Sequence, residues 1–222
     1  MQKVYLLVIS FCLFLTACED PSANKTKATT AEPKTAANTT AGKPAGTGIS
    51  LPISPENSKI EFTGSKVTGS HEGGFKKFSG TIDLVGEKPE SSSVNVDIET
   101  ASIYANVDQL TQHLKTPDFF DVEKFPKIEF RSTSIRRGKD RDSLDLEGDL
   151  TIRDKTVPVA LAVNEMDRSR SPNGEEFVYY SATAELDRSA FGINYGRGFI
   201  GRRAQVTINV QACDSSRVRR GK

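Results

Sequence analysis

Eight stretches of this chain alternate apolar and polar residues with a period of two, and few folds accommodate that pattern. Successive side chains of a strand point to opposite faces, so each run offers one apolar face to a core. The runs cover residues 58–67, 79–85, 93–104, 127–136, 143–153, 156–164, 175–187 and 203–213. Ile60 and Phe62 share a face in the first, Val94, Val96 and Ile98 in the third, and Ala204, Val206, Ile208 and Val210 in the last. Residues 153–155 read as a tight polar turn and 138–142 as a longer one, so several strands are joined as simple hairpins. Residues 69–74, GSHEGG, read as a flexible glycine loop between the first two strands. The fold expected is all-β: an eight-stranded antiparallel up-and-down barrel with one short α-helix between strands three and four. Barrels of that size are either packed solid or hold one small ligand, and periodicity does not separate the two.

The segment around that helix changes character twice. Val107, Leu110 and Leu114 fall on one face of a helix, and Pro117 stops it by pushing Thr116 out of the helical region. Phe119, Phe120 and Phe125 then crowd into the stretch TPDFFDVEKFPKIEF, residues 116–130, and ask for burial. After Pro126 the period becomes two again, with Ile128 and Phe130 apolar. This segment is expected to lie across one end of the barrel, its phenylalanines closing the interior or lining its mouth. If they close it, access is at the opposite end, beside the loop that carries His71.

Charge excludes a broad class of partners. With 30 Lys and Arg against 29 Asp and Glu, the chain lacks the general positive field that nucleic acid requires. Only the tail at 215–222, with Arg217, Arg219, Arg220 and Lys222, is basic, and polar termini are ordinarily disordered. The amino terminus says more. Lys3, an apolar run from Val4 to Leu15 and the box Leu15-Thr16-Ala17-Cys18 resemble a bacterial lipoprotein signal peptide. On that reading residues 1–17 are removed, Cys18 carries the lipid, and residues 18–48, rich in Thr, Ala, Lys and Pro, form a disordered tether. Such a tether has an r.m.s. reach on the order of 30 Å. Residues 49–214 are then expected to form the folded domain, lipid-anchored in the bacterial cell envelope with the domain in the periplasm. Cys12 leaves with the signal, so Cys213 has no partner for an internal disulfide.

Little points to catalysis. His71 and His113 are the two histidines, and neither sits in a spacing that gathers metal ligands. No Gly-x-Ser-x-Gly elbow and no phosphate loop is present. The chain is read as a non-enzyme, without catalytic residues, metal or cofactor. Asp187-Arg188 reads as a structural charge pair at a strand end or as an anion site at the mouth.

Five motifs now carry a resemblance: GFKKFSG at 74–80, HLKTPDFFDV at 113–122, FPKIEF at 125–130, GDLTIR at 148–153 and DRSAFGI at 187–193. In this order, across about residues 58–212, they resemble the YceI-like family, lipocalin-like β-barrel proteins of the bacterial envelope associated with polyisoprenoid binding. The resemblance implies an elongated apolar cavity that carries or sequesters a long-chain amphiphile, a polyisoprenoid or fatty-acid-like lipid. The candidate lining is Phe62, Phe78, Ile82, Val96, Ile98, Leu114, Phe119, Phe120, Phe130, Leu146, Leu150, Val159, Leu161, Phe191, Val206 and Ile208. A homodimer is a further expectation, since family members are often dimers. Where members carry a histidine just after the first strand, this chain has Ser65 or Lys66. The competing reading is a solid-core barrel serving as a protein-interaction module. The anchor has its own test: the mature protein should stay with membranes washed without detergent, and a freely soluble form overturns it.

Overall fold

The computed structural model describes residues 49–85, 88–170 and 176–214. The signal peptide, Cys18, the tether and the basic tail lie outside the described residues. Eleven strands form one antiparallel sheet: β1 (Ile49–Ile53), β2 (Ser58–Lys66), β3 (Gly69–Phe75), β4 (Phe78–Leu84), β5 (Ser93–Glu99), β6 (Ile103–Ala105), β7 (Lys127–Arg137), β8 (Ser143–Ile152), β9 (Lys155–Arg170), β10 (Glu176–Asp187) and β11 (Ile200–Asp214). Helix α1 (Asp108–Leu114) lies between β6 and β7. The ladder runs β1-β4-β5-β7-β8-β9-β10-β11-β2-β3-β6. From β7 to β11 each strand pairs with its chain neighbour, as alternation and polar turns require, and the return of β11 to β2 sets Ile208 opposite Ile60.

The sheet curls until its ends approach. β1 lies beside β11 as well as β4, and the Gln211 N–H donates to the Asn57 carbonyl at 2.8 Å. On the other side β6 continues β5 after a 3-10 turn at Thr100–Ser102, carrying the chain from the flank of β4 to that of β3. The β3–β4 connection is fastened to it: the Lys76 N–H donates to the Ser102 carbonyl at 3.2 Å and the Glu99 N–H to the Lys77 carbonyl at 3.0 Å.

The all-β class is as the alternation requires, but the strand count among the described residues is eleven rather than eight. The run at 93–104 is two strands, because Thr100 turns inward, 1% exposed, and its N–H bonds the Pro126 carbonyl at 2.9 Å. Residues 69–74 form strand β3, not a flexible loop. Their glycines serve close approach: a Cβ on Gly73 would lie 2.3 Å from the Tyr104 carbonyl oxygen and 2.6 Å from the Phe62 ring. β1 has only five residues, one of them Pro52, which an edge strand tolerates and which hides the strand from a pattern search.

Where alternation alone would misdirect side chains, the ladder slips. In β7 the buried residues are Ile128, Phe130 and Ile135, a change of parity. Ser132 pairs with Gly148 and Ser134 with Glu147, so Thr133 is an extra residue that absorbs it. In the β9–β10 pairing Met166 is bypassed in the same way and is left exposed. The largest slip lies between β11 and β2. Ile200 faces Lys66 and Ala204 faces Gly64, so residues 201–203 stand opposite Ser65 alone. With these slips the inward faces merge into one apolar cluster, in which Val157 is 0% and Phe191 1% exposed.

The interior leaves no room at some backbones. A Cβ on Gly148 would lie 2.4 Å from Cζ of Phe130 and 2.7 Å from the Arg131 carbonyl oxygen. Gly148→Ala is therefore expected to destabilise the domain by about 1–3 kcal/mol, measured as a lower urea midpoint at unchanged slope.

Candidate ligand-binding cavity

The barrel encloses a cavity of about 470 Å³. Its walls are the inward faces of β1 to β5 and β7 to β11, with Leu110 and Leu114 of α1 and Phe119 and Phe120 after it at one end. Apolar side chains line most of its length: Ile98, Phe130, Leu150 and Val159 toward that end, Val94, Ile135, Leu144 and Val163 toward the other. Dispersion and burial are all that such a wall supplies, so it favours length and flexibility in a guest over any particular group.

The segment after α1 closes part of one end. Phe119 is buried, 6% exposed, and its ring lies 5.0 Å from that of His113 and 5.4 Å from Tyr195. Tyr195, on the β10–β11 connection, also meets His113 at 4.7 Å, so an aromatic trio joins helix and loop. His113 Nε2 bonds Asp118 Oδ2 at 2.9 Å, which fixes the ring. Phe120 meets Phe75 of β3 edge-on at 6.0 Å. The β8–β9 hairpin clamps the segment from below. Its turn residue Arg153, held at φ 58°, reaches the Phe119 carbonyl at 3.4 Å, the Asp121 carboxylate at 4.0 Å and the face of the Phe125 ring at 5.4 Å.

His71 does not lie at the opposite end. Its Nδ1 stands 3.2 Å from Oδ1 of Asn106, just before α1, and it lines the cavity cross-strand from Gly64. The aromatic plug and the β2–β3 hairpin flank the same end. Phe119 and Phe120 line the cavity, and Phe125 does not, being held outside it by Arg153. Val107 is exposed at the helix N-cap rather than on its buried face.

Most of the polar lining gathers at this end: Ser65 and Lys66 on β2, His71 on β3, Arg188 on the 3-10 turn after β10 and Arg203 on β11, while Glu61 on β2 and Ser92 before β5 border the cavity elsewhere. The slip in β11 explains how Arg188 is held. It withdraws the backbone of Gly201 from regular pairing beside Ile200, the last paired residue before the slip, and the guanidinium takes both carbonyls, Nε to Gly201 at 2.9 Å and Nη2 to Ile200 at 3.3 Å, with Nη1 to Ile193 at 3.3 Å. Burial lowers its pKa; neighbouring Asp187 opposes that shift and Arg197 adds to it. Asp187 and Arg188 are therefore not an ion pair with each other. The Asp187 carboxylate accepts from the Ser189 N–H at 2.9 Å and hydroxyl at 2.6 Å and from Arg202 at 2.6 Å.

Of the sixteen residues expected to line a cavity, the structure places fifteen on its wall, from Phe62 through Phe191 to Val206 and Ile208. Phe78 is buried, 8% exposed, but belongs to the core beside the cavity. Missed were the in-phase neighbours Ile60, Val94, Leu144 and Val163, which the same alternation marks, and Ala182, Ala184 and Leu186, on a strand whose smaller residues blur it. Lys66 was also missed as a wall residue, because a cation that lines an apolar cavity carries no apolar signal of its own, whereas Arg188, read with Asp187 as a charge pair or an anion site at the mouth, lies on the wall without pairing with Asp187.

A model of the YceI-like domain matches residues 52–212. The chain belongs to the YceI-like family. A relative, a UPF0312 protein of Pseudomonas putida, is 34% identical over 139 residues, which is 63% of this chain and 71% of the relative. Among solved structures, Burkholderia cenocepacia BcnA matches with a TM-score of 0.62 at 22% identity, over 70% of this chain and 96% of that one. A polyisoprenoid binding domain from Saccharophagus degradans matches with a TM-score of 0.52 at 14% identity, over 73% of this chain and 97% of that one. At those identities the two structures report a shared fold. All five motifs read from the sequence fall within the matched YceI-like region.

Within this YceI-like domain Asp187 links the polar end to stability. Burial raises its pKa, and the bonds from Ser189 and Arg202 outweigh burial, leaving the carboxyl below the usual carboxylate range. A depressed folded value stabilises the fold at pH above the unfolded value of about 3.9, and the contribution is lost as pH falls through the folded value. Asp187→Asn should therefore lessen the loss of stability below about pH 4, read from urea midpoints across an acid series.

Proposed function

We propose that this YceI-like protein binds a long-chain amphiphile, a polyisoprenoid or fatty-acid-like lipid, in its barrel and carries or sequesters it at the bacterial cell envelope. The observation that carries this reading is the cavity itself. Its volume of about 470 Å³ lies in the range of small-molecule sites, about 300–1,000 Å³, and its wall is apolar along most of its length, with most of its polar groups, Lys66, His71 and Arg188 among them, at one end. That asymmetry suits a guest with a long tail and one head. The Saccharophagus degradans neighbour, described as a polyisoprenoid binding domain, supports the same ligand class through a shared fold. A solid-core interaction module would need no such interior. The lipid anchor at Cys18 and the tether would hold the barrel near the membrane from which a guest comes.

Chain length gives the test. Each methylene buried contributes about 0.8 kcal/mol, so affinity for saturated fatty acids should rise roughly tenfold for every two carbons until the cavity is full. Native mass spectrometry of protein taken from its own membranes should show a bound lipid. Ala184→Phe, which puts a ring into the cavity beside Val206, should abolish both while the barrel still melts cooperatively. An empty barrel that takes up no chain of any length overturns the reading.

A further inference from the structure

Building on the amphiphile reading, we propose that the polar end of the cavity is a site for an anionic head group, a carboxylate or a phosphate, held by Lys66, Arg188 and Arg197. Three segments remote in sequence bring these cations to one residue. Lys66, the last residue of β2, is the cross-strand partner of Ile200. Arg188 donates through Nη2 to the Ile200 carbonyl at 3.3 Å. Arg197 forms an isolated parallel bridge with Ile200 across a tight loop, made by Gly196 at φ 66° and Gly198 at φ 92°. Ile200 itself lines the cavity, as do Lys66 and Arg188.

No direct ion pair cancels the charges of this cluster, and Asp187 acts on Arg188 only through space. Among the described residues no carboxylate lies within ion-pair distance of Lys66, Arg188 or Arg197. The two acids at the end of β10 are engaged elsewhere: Asp187 with Ser189 and Arg202, Glu185 with Arg203 at 2.8 Å. Arg197 bonds the neutral Asn194 amide oxygen at 2.6 Å and remains close enough to Arg188 to depress its pKa. Arg188 spends three contacts on backbone carbonyls, which orient the guanidinium but leave its charge and further N–H groups unused.

Room for a head group is present beside the cluster. Gly64 is in phase with inward Ile60 and Phe62, and a Cβ built there would meet nothing within 4 Å. Its partner on β11 is Ala204, and its partner on β3 is His71. A largely apolar cavity ending in small residues and in cations without an ion-pair partner selects an acid over an alcohol of the same length, because a charge-assisted hydrogen bond in a half-buried site outweighs a neutral one.

The experiment is calorimetric titration of the full chain, delipidated, with four probes of one tail: palmitate, hexadecyl phosphate, hexadecanol and hexadecylamine. The two anions should bind about tenfold or more tightly than hexadecanol, and hexadecylamine weakest of all. Whichever anion binds tighter identifies the head group. Lys66→Glu combined with Arg197→Glu, both exposed positions, should bring the ratio of palmitate to hexadecanol affinity to about one. Equal affinity for palmitate and hexadecanol in the wild type, or a ratio unmoved by the double substitution, overturns the anion site and leaves the cavity reading standing. Failure of all four probes to bind overturns both.

Discussion

The architecture depends on the strict alternation of side chains along a strand. A curled sheet has one inside, and a single unmatched residue sends every later side chain to the wrong face. The domain meets this constraint by slipping its ladder. Thr133 in β7 and Met166 in β9 are each set aside, and the buried series resumes on the correct face with Ile135 in the first case. The third slip, at residues 201–203, does more than restore parity. It frees the Gly201 carbonyl for Arg188 beside that of Ile200, and so the polar end of the cavity and the inward order of β11 share one stretch of backbone. Packing and site are consequences of the same local backbone.

Much of this was legible in the sequence, because burial on one face leaves a period of two. β8 shows it most plainly: Leu146, Gly148, Leu150 and Ile152 are buried and the residues between them are not. The cavity wall was readable for the same reason, since wall and core share one face. What resisted reading was everything short or irregular. β6 has three residues and β1 has five, too few for a period to declare itself. The glycines of β3 suggested freedom of the backbone, yet Gly73 and Gly74 are required by the nearness of Phe62 and Tyr104. The cations at the polar end come from β2, a turn and a loop, and only the fold gathers them.

The aromatic segment after α1 shows how a local stop signal becomes a tertiary fixture. Pro117 ends the helix, but the position of the phenylalanines is set by Arg153, the turn residue of a hairpin more than thirty residues away from Phe119. A turn whose φ of 58° disfavours most side chains keeps an arginine because its guanidinium binds Phe119, Asp121 and Phe125 together. Phe125 is thereby kept out of the cavity while Phe119 and Phe120 face it. One end of the barrel is shaped by a residue that never touches the interior.

The pairing of Ile60 with Ile208 has a kinetic meaning. The hairpins from β7 to β11 need only neighbours in sequence and can zip as soon as they are synthesised. The seam between β2 and β11 joins the two extremes of the domain, and its closure carries the greatest chain entropy in the ladder. Until it forms, two long strand edges stand open, a condition that invites pairing with other chains. The wall of the cavity is incomplete for as long as the seam is open. The strand pairing of greatest sequence separation in the ladder is therefore also the one that completes the cavity wall.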